Sequence, residues 1–113
     1  MNTPLKFLEE VKQVLEESKK FLEDLRYYDV SSSNYMQILV TQKIHQLEGI
    51  AIRLEEYEKD PKDTELNLPN LYHLFRDIKT EVTLASKKWK RQVEIKYSDL
   101  KCRIGKLYFV SAL

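Results

Sequence analysis

Phe7, Val14, Phe21 and Tyr28 stand seven residues apart, and Leu8, Leu15 and Leu22 run beside them, so the opening quarter of the chain is written in heptads. An α-helix turns about 100° per residue, so positions seven apart drift by only about 20° and stay on one face. Val11, Ser18 and Leu25 fill this face into a continuous stripe, the pattern of a helix that packs against neighbours. The rest of the chain must supply those neighbours.

At 113 residues the chain is long enough for one modest core and too short for two. A third of its residues are charged and only two Gly and three Pro occur, which predicts a folded, helix-rich domain rather than disorder. No apolar run approaches the 18 or more residues that a membrane span requires. The N-terminus turns amphipathic and acidic within ten residues and lacks the apolar centre of a signal peptide. Together with a single cysteine, Cys102, this points to a reducing compartment: the cytoplasm, with the nucleus left open, and not the secretory route. Cys102 has no His or acid beside it to activate the thiol and reads as a small helix residue.

Three helices are expected. The first starts at Thr3, a good N-cap, with Pro4 at the first helical position, where its missing N–H costs nothing, and runs to about residue 28. Asp29-Val30-Ser31-Ser32-Ser33-Asn34 interrupts it, since these short polar side chains bond to nearby backbone. Asn34 with Gln37 has the spacing of a capping box, so the second helix is placed at about 34–59. It carries Val40, Ile44, Leu47, Ala51 and Leu54 in fours and threes, with Met36, Ile50 and Tyr57 alongside. Ile38, Leu39 and Ile52 lie off that seam, which suits a middle helix touching two neighbours. Asp60-Pro61 ends it, because proline drives the preceding residue out of the helical region. A connection as short as that between the first two helices makes them antiparallel neighbours.

The third helix, about 68–104, begins near Asn67 to Pro69 and meets no Gly or Pro until Gly105. Its length would be about 50 Å, against about 35–40 Å for the other two, so one end should overhang. Its seam, Phe75, Ile78, Val82, Ala85 and Trp89, passes to Val93 and Tyr97 by two consecutive fours, a stutter that unwinds a coil locally or marks a bend. Beyond it Leu100, Ile104 and Leu107 continue the seam, while Ile95, Cys102 and Phe109 form a second stripe. The segment after Trp89 is apolar on two sides, which fits either a fourth helix folded back on the bundle or a contact for another chain. The fold class is therefore all-α, an antiparallel up-down-up bundle of one domain with a long third helix.

The net charge of +1 conceals a division. Residues 1–66 hold nine Lys/Arg against fourteen Asp/Glu, a balance of −5, and residues 67–113 hold ten against four, a balance of +6. Acidic helices flanking a basic one would satisfy this within the bundle; display to an acidic partner or to nucleic acid is the other solution. The densest run, Lys87-Lys88-Trp89-Lys90-Arg91, is the candidate basic patch. Stacking on nucleic-acid bases would require an exposed aromatic among the cations, and Trp89 falls on the seam instead. Two His and one Cys, scattered, do not make a metal site. There is no Gly-rich phosphate loop or nucleophile motif, and paired acids such as Glu9-Glu10 and Glu55-Glu56 are solvated helix faces. Neither catalysis nor a cofactor is expected.

Two resemblances can be stated on particular residues. His45-Gln46-Leu47-Glu48-Gly49 resembles the His-x-Leu-Lys-Gly core of histidine phosphotransfer domains, with Glu48 standing where that family has a lysine. Tyr35, Ile38, Val40, Ile44, Leu47, Glu48 and Ile50, followed by the basic third helix, resemble the middle of a BAG domain. That resemblance implies a three-helix co-chaperone module gripping a heat-shock ATPase, with Glu48, Glu55 and Glu56 on one side and Arg76 and Lys79 on the other. The paired basic residues of that family appear here only as Lys79 with Thr80.

The reading that uses most of the chain is a protein–protein interaction module: an adaptor, assembly subunit or regulatory domain whose partner is another protein or a second copy. Ile95, Leu100, Cys102, Ile104, Leu107, Tyr108 and Phe109 would dock as a helix face, with Lys96, Lys101, Arg103 and Lys106 selecting an acidic partner at the rim. The alternatives are the BAG-like co-chaperone and nucleic-acid binding through Lys87, Lys88, Lys90 and Arg91.

Overall fold

A computed structural model describes residues 4–28, 30–61 and 66–104, with side chains through residue 96. Over these residues the chain forms three helices, α1 (Pro4–Tyr27), α2 (Ser33–Lys59) and α3 (Leu68–Ile104). The sequence explains each boundary that lies among them. Proline opens α1, where no N–H is lost. Asn67 caps α3: its Oδ1 accepts the Asn70 N–H at 3.2 Å and its carbonyl accepts the Leu71 N–H at 3.1 Å, satisfying donors that the first turn leaves orphaned. Pro69, between them, has no N–H to satisfy. At the end of α2 the Asp60 N–H closes on the Glu56 carbonyl at 3.0 Å, one residue before Pro61.

The start of α2 differs from expectation. The helix begins at Ser33, so Asn34 lies inside it and the Asn34–Gln37 capping box does not form the boundary. Ser33 is fully buried, and its Oγ accepts the Val30 N–H at 2.9 Å. A buried serine reaching back across the turn satisfies the backbone more completely than an exposed asparagine one position later would.

Direction follows from contacts between helices. Phe7 packs edge-on against Tyr72 and Phe75 at 5.4 and 5.5 Å, and Phe21 against Trp89 at 5.5 Å, so α1 and α3 run parallel. Ser32 meets Gln92 while Lys43 pairs with Glu81 at 2.9 Å, so α2 runs antiparallel to α3. The result is the expected up-down-up, all-α bundle.

The core is built from one stripe of each helix: Phe7, Leu8, Val11, Val14, Phe21 and Leu25; Met36, Val40, Ile44, Leu47, Ile50, Ala51 and Leu54; Leu71, Phe75, Ile78, Val82, Ala85, Trp89 and Val93. Helices α1 and α2 are the most closely apposed pair. Helix α3 covers this pair with its own stripe, in which Phe75 and Trp89 are the largest buried side chains. Leu15 and Leu22, at the edge of the α1 stripe, are half-buried. Ile38 and Ile52 are 64% and 56% exposed, so they do not face a second neighbour as expected of a middle helix; only Leu39 is partly covered.

The third helix has 37 residues, about 55 Å of rise, and the molecule measures 62 × 22 × 19 Å. Its last buried residue is Val93, from which the helix continues unbroken for eleven residues, about 16 Å, to Ile104. The overhang is at the C-terminal end, and no turn into a fourth helix occurs through Ile104.

Candidate functional site

The projecting end of α3 is anchored where the α1–α2 turn crosses it. The Tyr28 carbonyl accepts both the Trp89 indole N–H and the Ser33 hydroxyl, each at 3.4 Å, while the Ser32 hydroxyl donates to Gln92 Oε1. Trp89 is 2% exposed, in contact with the rings of Phe21 and Tyr28. These contacts fix the helix through residue 93 and set the direction in which the remainder leaves the bundle.

Past that anchor Ile95 is 71% exposed and Lys96 is also at the surface. Leu100, Lys101, Cys102, Arg103 and Ile104 lie on the same continuous helix, and their side chains fall outside the described set. Lys106, Leu107, Tyr108 and Phe109 lie outside the described residues. Of the proposed docking face, therefore, the structure places the first two residues in space and the next five along a helix.

The basic run does not form one patch. Lys87 and Lys90 line the groove between α1 and α3 together with Glu17 and Lys79, and the groove continues toward the N-terminal end past Glu10, Arg76 and Thr80. Lys88 and Arg91 are exposed and belong to neither lining. On α1 the acids Glu10, Glu17 and Asp24 recur at seven-residue intervals, so one row of carboxylates runs along a groove whose opposite wall is cationic. Part of the division between an acidic first half and a basic second half thus meets across this groove. The Asp24 carboxyl is pushed up from its ordinary value: partial desolvation raises it first, the neighbouring Glu23 charge raises it further, and Lys90 opposes both.

On the outer side of α2, Gln37, Ile38, Thr41, Gln42 and His45 line a shallow depression, and Tyr35 and Ile52 extend its apolar surface. His45 is exposed, as a phosphotransfer histidine would be, but Glu48 is half-buried beside it. Lys43 reaches Glu81 and so marks the edge of α2 that faces α3. Glu48 and Glu55 fall about 140° and 120° round the helix from it. Arg76 and Lys79 line the α1–α3 groove. Of the residues implied by the BAG resemblance, Glu48 and Glu55 therefore lie across α1 from Arg76 and Lys79, and Glu56 falls on the outer face of α2, about 220° round from Lys43.

Among the described residues no group of three or more His, Cys, Asp or Glu is arranged to hold a metal ion, and no helix is long and apolar enough to cross a membrane. Sequence reasoning began the second stripe of α3 at Ile95; the structure adds Leu74 and Leu84, 43% and 60% exposed. They fall on the same flank of α3 as Ile95 but stand ten residues apart among charges, a signal too sparse to register as an apolar pattern. Comparison with family models, curated proteins and solved structures gives no significant match to any of them.

Proposed function

We propose that this protein is a protein–protein interaction module, an adaptor, assembly subunit or regulatory domain, that docks through the C-terminal part of α3. The observation that carries the reading is the continuation of α3 for about 16 Å past Val93, the last core residue. A helix end that extends beyond its own bundle and bears Ile95, Leu100, Cys102 and Ile104, with Leu107, Tyr108 and Phe109 following in the sequence, gains most by laying such residues in a partner's groove. Lys96, Lys101, Arg103 and Lys106 alternate with them in the sequence and favour a partner with an acidic rim. The cytoplasm is the proposed site of action.

The test is truncation after Lys96, which retains every buried residue of the described core. The shortened chain should keep the helical circular dichroism of the bundle and the buried emission of Trp89 while losing the proteins that the full chain captures. Equal capture by both forms would place the interface elsewhere, on the surfaces of α1, α2 or the first part of α3.

A further inference from the structure

The exposed flank of α3 reads Leu74, Asp77, Glu81, Leu84, Lys88, Arg91 and Ile95, at alternating spacings of three and four. All seven fall on one stripe, about 100° wide and separate from the buried seam. The order along it is apolar, acid, acid, apolar, base, base, apolar. Leu84 stands at its centre: Glu81 and Lys88 lie three and four residues to either side, Asp77 and Arg91 seven, and Leu74 and Ile95 ten and eleven.

We propose that this flank is a homodimer interface, in which two copies pack α3 against α3, antiparallel, about a twofold axis at Leu84. In that arrangement Leu84 meets its own copy, Asp77 faces the other copy's Arg91, Glu81 faces its Lys88, and Leu74 faces its Ile95. The axis generates each of these pairs twice. An isologous contact requires a surface complementary to itself, and a stripe whose acidic half becomes its basic half on reversal meets that requirement. A parallel pairing would set Asp77 on Asp77 and Arg91 on Arg91, a like-charge juxtaposition that antiparallel packing removes.

The three apolar positions are 43%, 60% and 71% exposed in the single chain, leaving area to bury. Glu81 is oriented at the α2 edge by Lys43, at 2.9 Å, and remains 47% exposed, with room to receive a second cation. The stripe spans about 32 Å of helix, and three apolar side chains among four charges make a small, reversible interface rather than an obligate one. This surface meets the projecting end only at Ile95, so the two proposals stand or fall separately.

The experiment uses Asp77→Arg and Arg91→Asp in the full chain, both at exposed positions outside the core, with circular dichroism as the check on folding. Sedimentation velocity at low salt should show a concentration-dependent dimer for the wild type. Each single variant turns both symmetry-related pairs repulsive and should weaken dimerisation at least about tenfold. An equimolar mixture of the two variants restores both pairs and should dimerise as the wild type does; the double variant, with the charges exchanged, should do the same. A wild type that stays monomeric at concentrations up to about 100 μM, the Kd range of a weak contact, overturns the proposal. So do single variants that still dimerise, which would assign self-association to the projecting end, and so does a loss of dimer that mixing fails to restore.

Discussion

The carbonyl oxygen of Tyr28 is shared by the Ser33 hydroxyl and the Trp89 indole, so one backbone atom joins the α1–α2 turn to the third helix. Two buried serines with different roles follow from such local arrangements. The Ser18 hydroxyl donates to the Val14 carbonyl one turn earlier at 2.7 Å, an acceptor that the helix already satisfies. The Ser33 oxygen instead receives the Val30 N–H at 2.9 Å, a backbone donor of the turn rather than of a helix. Ser33→Ala should therefore cost about 1–3 kcal/mol by leaving a buried donor unsatisfied, while Ser18→Ala should change stability by less than about 1 kcal/mol; urea unfolding of the two variants makes the comparison. Asp24 gives a residue-scale test in pH. Its folded pKa is raised above the unfolded value by desolvation and Glu23, so its favourable contribution is full below the unfolded pKa and lost as pH rises through the folded one. Unfolding measured from about pH 3 to pH 7 should show the wild type losing stability relative to Asp24→Asn across that rise. A constant difference between the two would remove the assigned shift.

At the scale of the element, α2 places opposite demands on residues two positions apart. Leu47 is fully buried, and Leu47→Asp would put an unpaired charge in the core at a cost of several kcal/mol, comparable with the whole stability of a small domain. The loss should appear as a red shift of Trp89, the single tryptophan, and collapse of the helical signal. Gly49, in contrast, has nothing within 4 Å of an added Cβ, so Gly49→Ala should raise stability by about 0.5–1 kcal/mol through the backbone entropy of the unfolded chain; a lower melting temperature would contradict it. Helix boundaries were legible because Pro4, Asn67 and Asp60-Pro61 act through local chemistry. The core was legible because the burial of Phe7, Leu47 or Trp89 follows the heptad period. Ile38 and Ile52 were misread because periodicity gives the angle of a residue on its helix and not the number of helices around it. Ser33 was missed because its hydrogen bonds depend on a turn conformation that spacing does not encode. The candidate site was legible only in part: the pattern beyond Trp89 showed surplus apolar residues, while the antisymmetry of Leu74 to Ile95 emerged once exposure had separated that flank from the seam.

The whole molecule is a rod, and its proportions come from one feature. A compact chain of this length would have a radius of gyration near about 13 Å, against 17.5 Å here. The excess is not explained by α1 and α2, whose 24 and 27 residues rise only about 36 and 40 Å. It comes from α3 continuing beyond the turn that clamps Trp89 and Gln92. Charge follows the same geometry: along the bundle the carboxylates Glu10 and Glu17 of α1 share a groove with Lys79, Lys87 and Lys90 of α3, and α3 itself continues past Val93, its last buried residue. Small-angle scattering in solution tests this shape directly. Extrapolated to zero concentration, where a reversible dimer has dissociated, the full chain should give a radius of gyration near 17.5 Å and the pair-distance tail of an elongated particle. Truncation after Lys96 should shorten that tail while leaving the cross-section unchanged, since the bundle itself is intact. A full-chain value close to the compact estimate would mean that the segment after Trp89 doubles back on the core, and it would remove the projecting helix on which the proposed docking function rests.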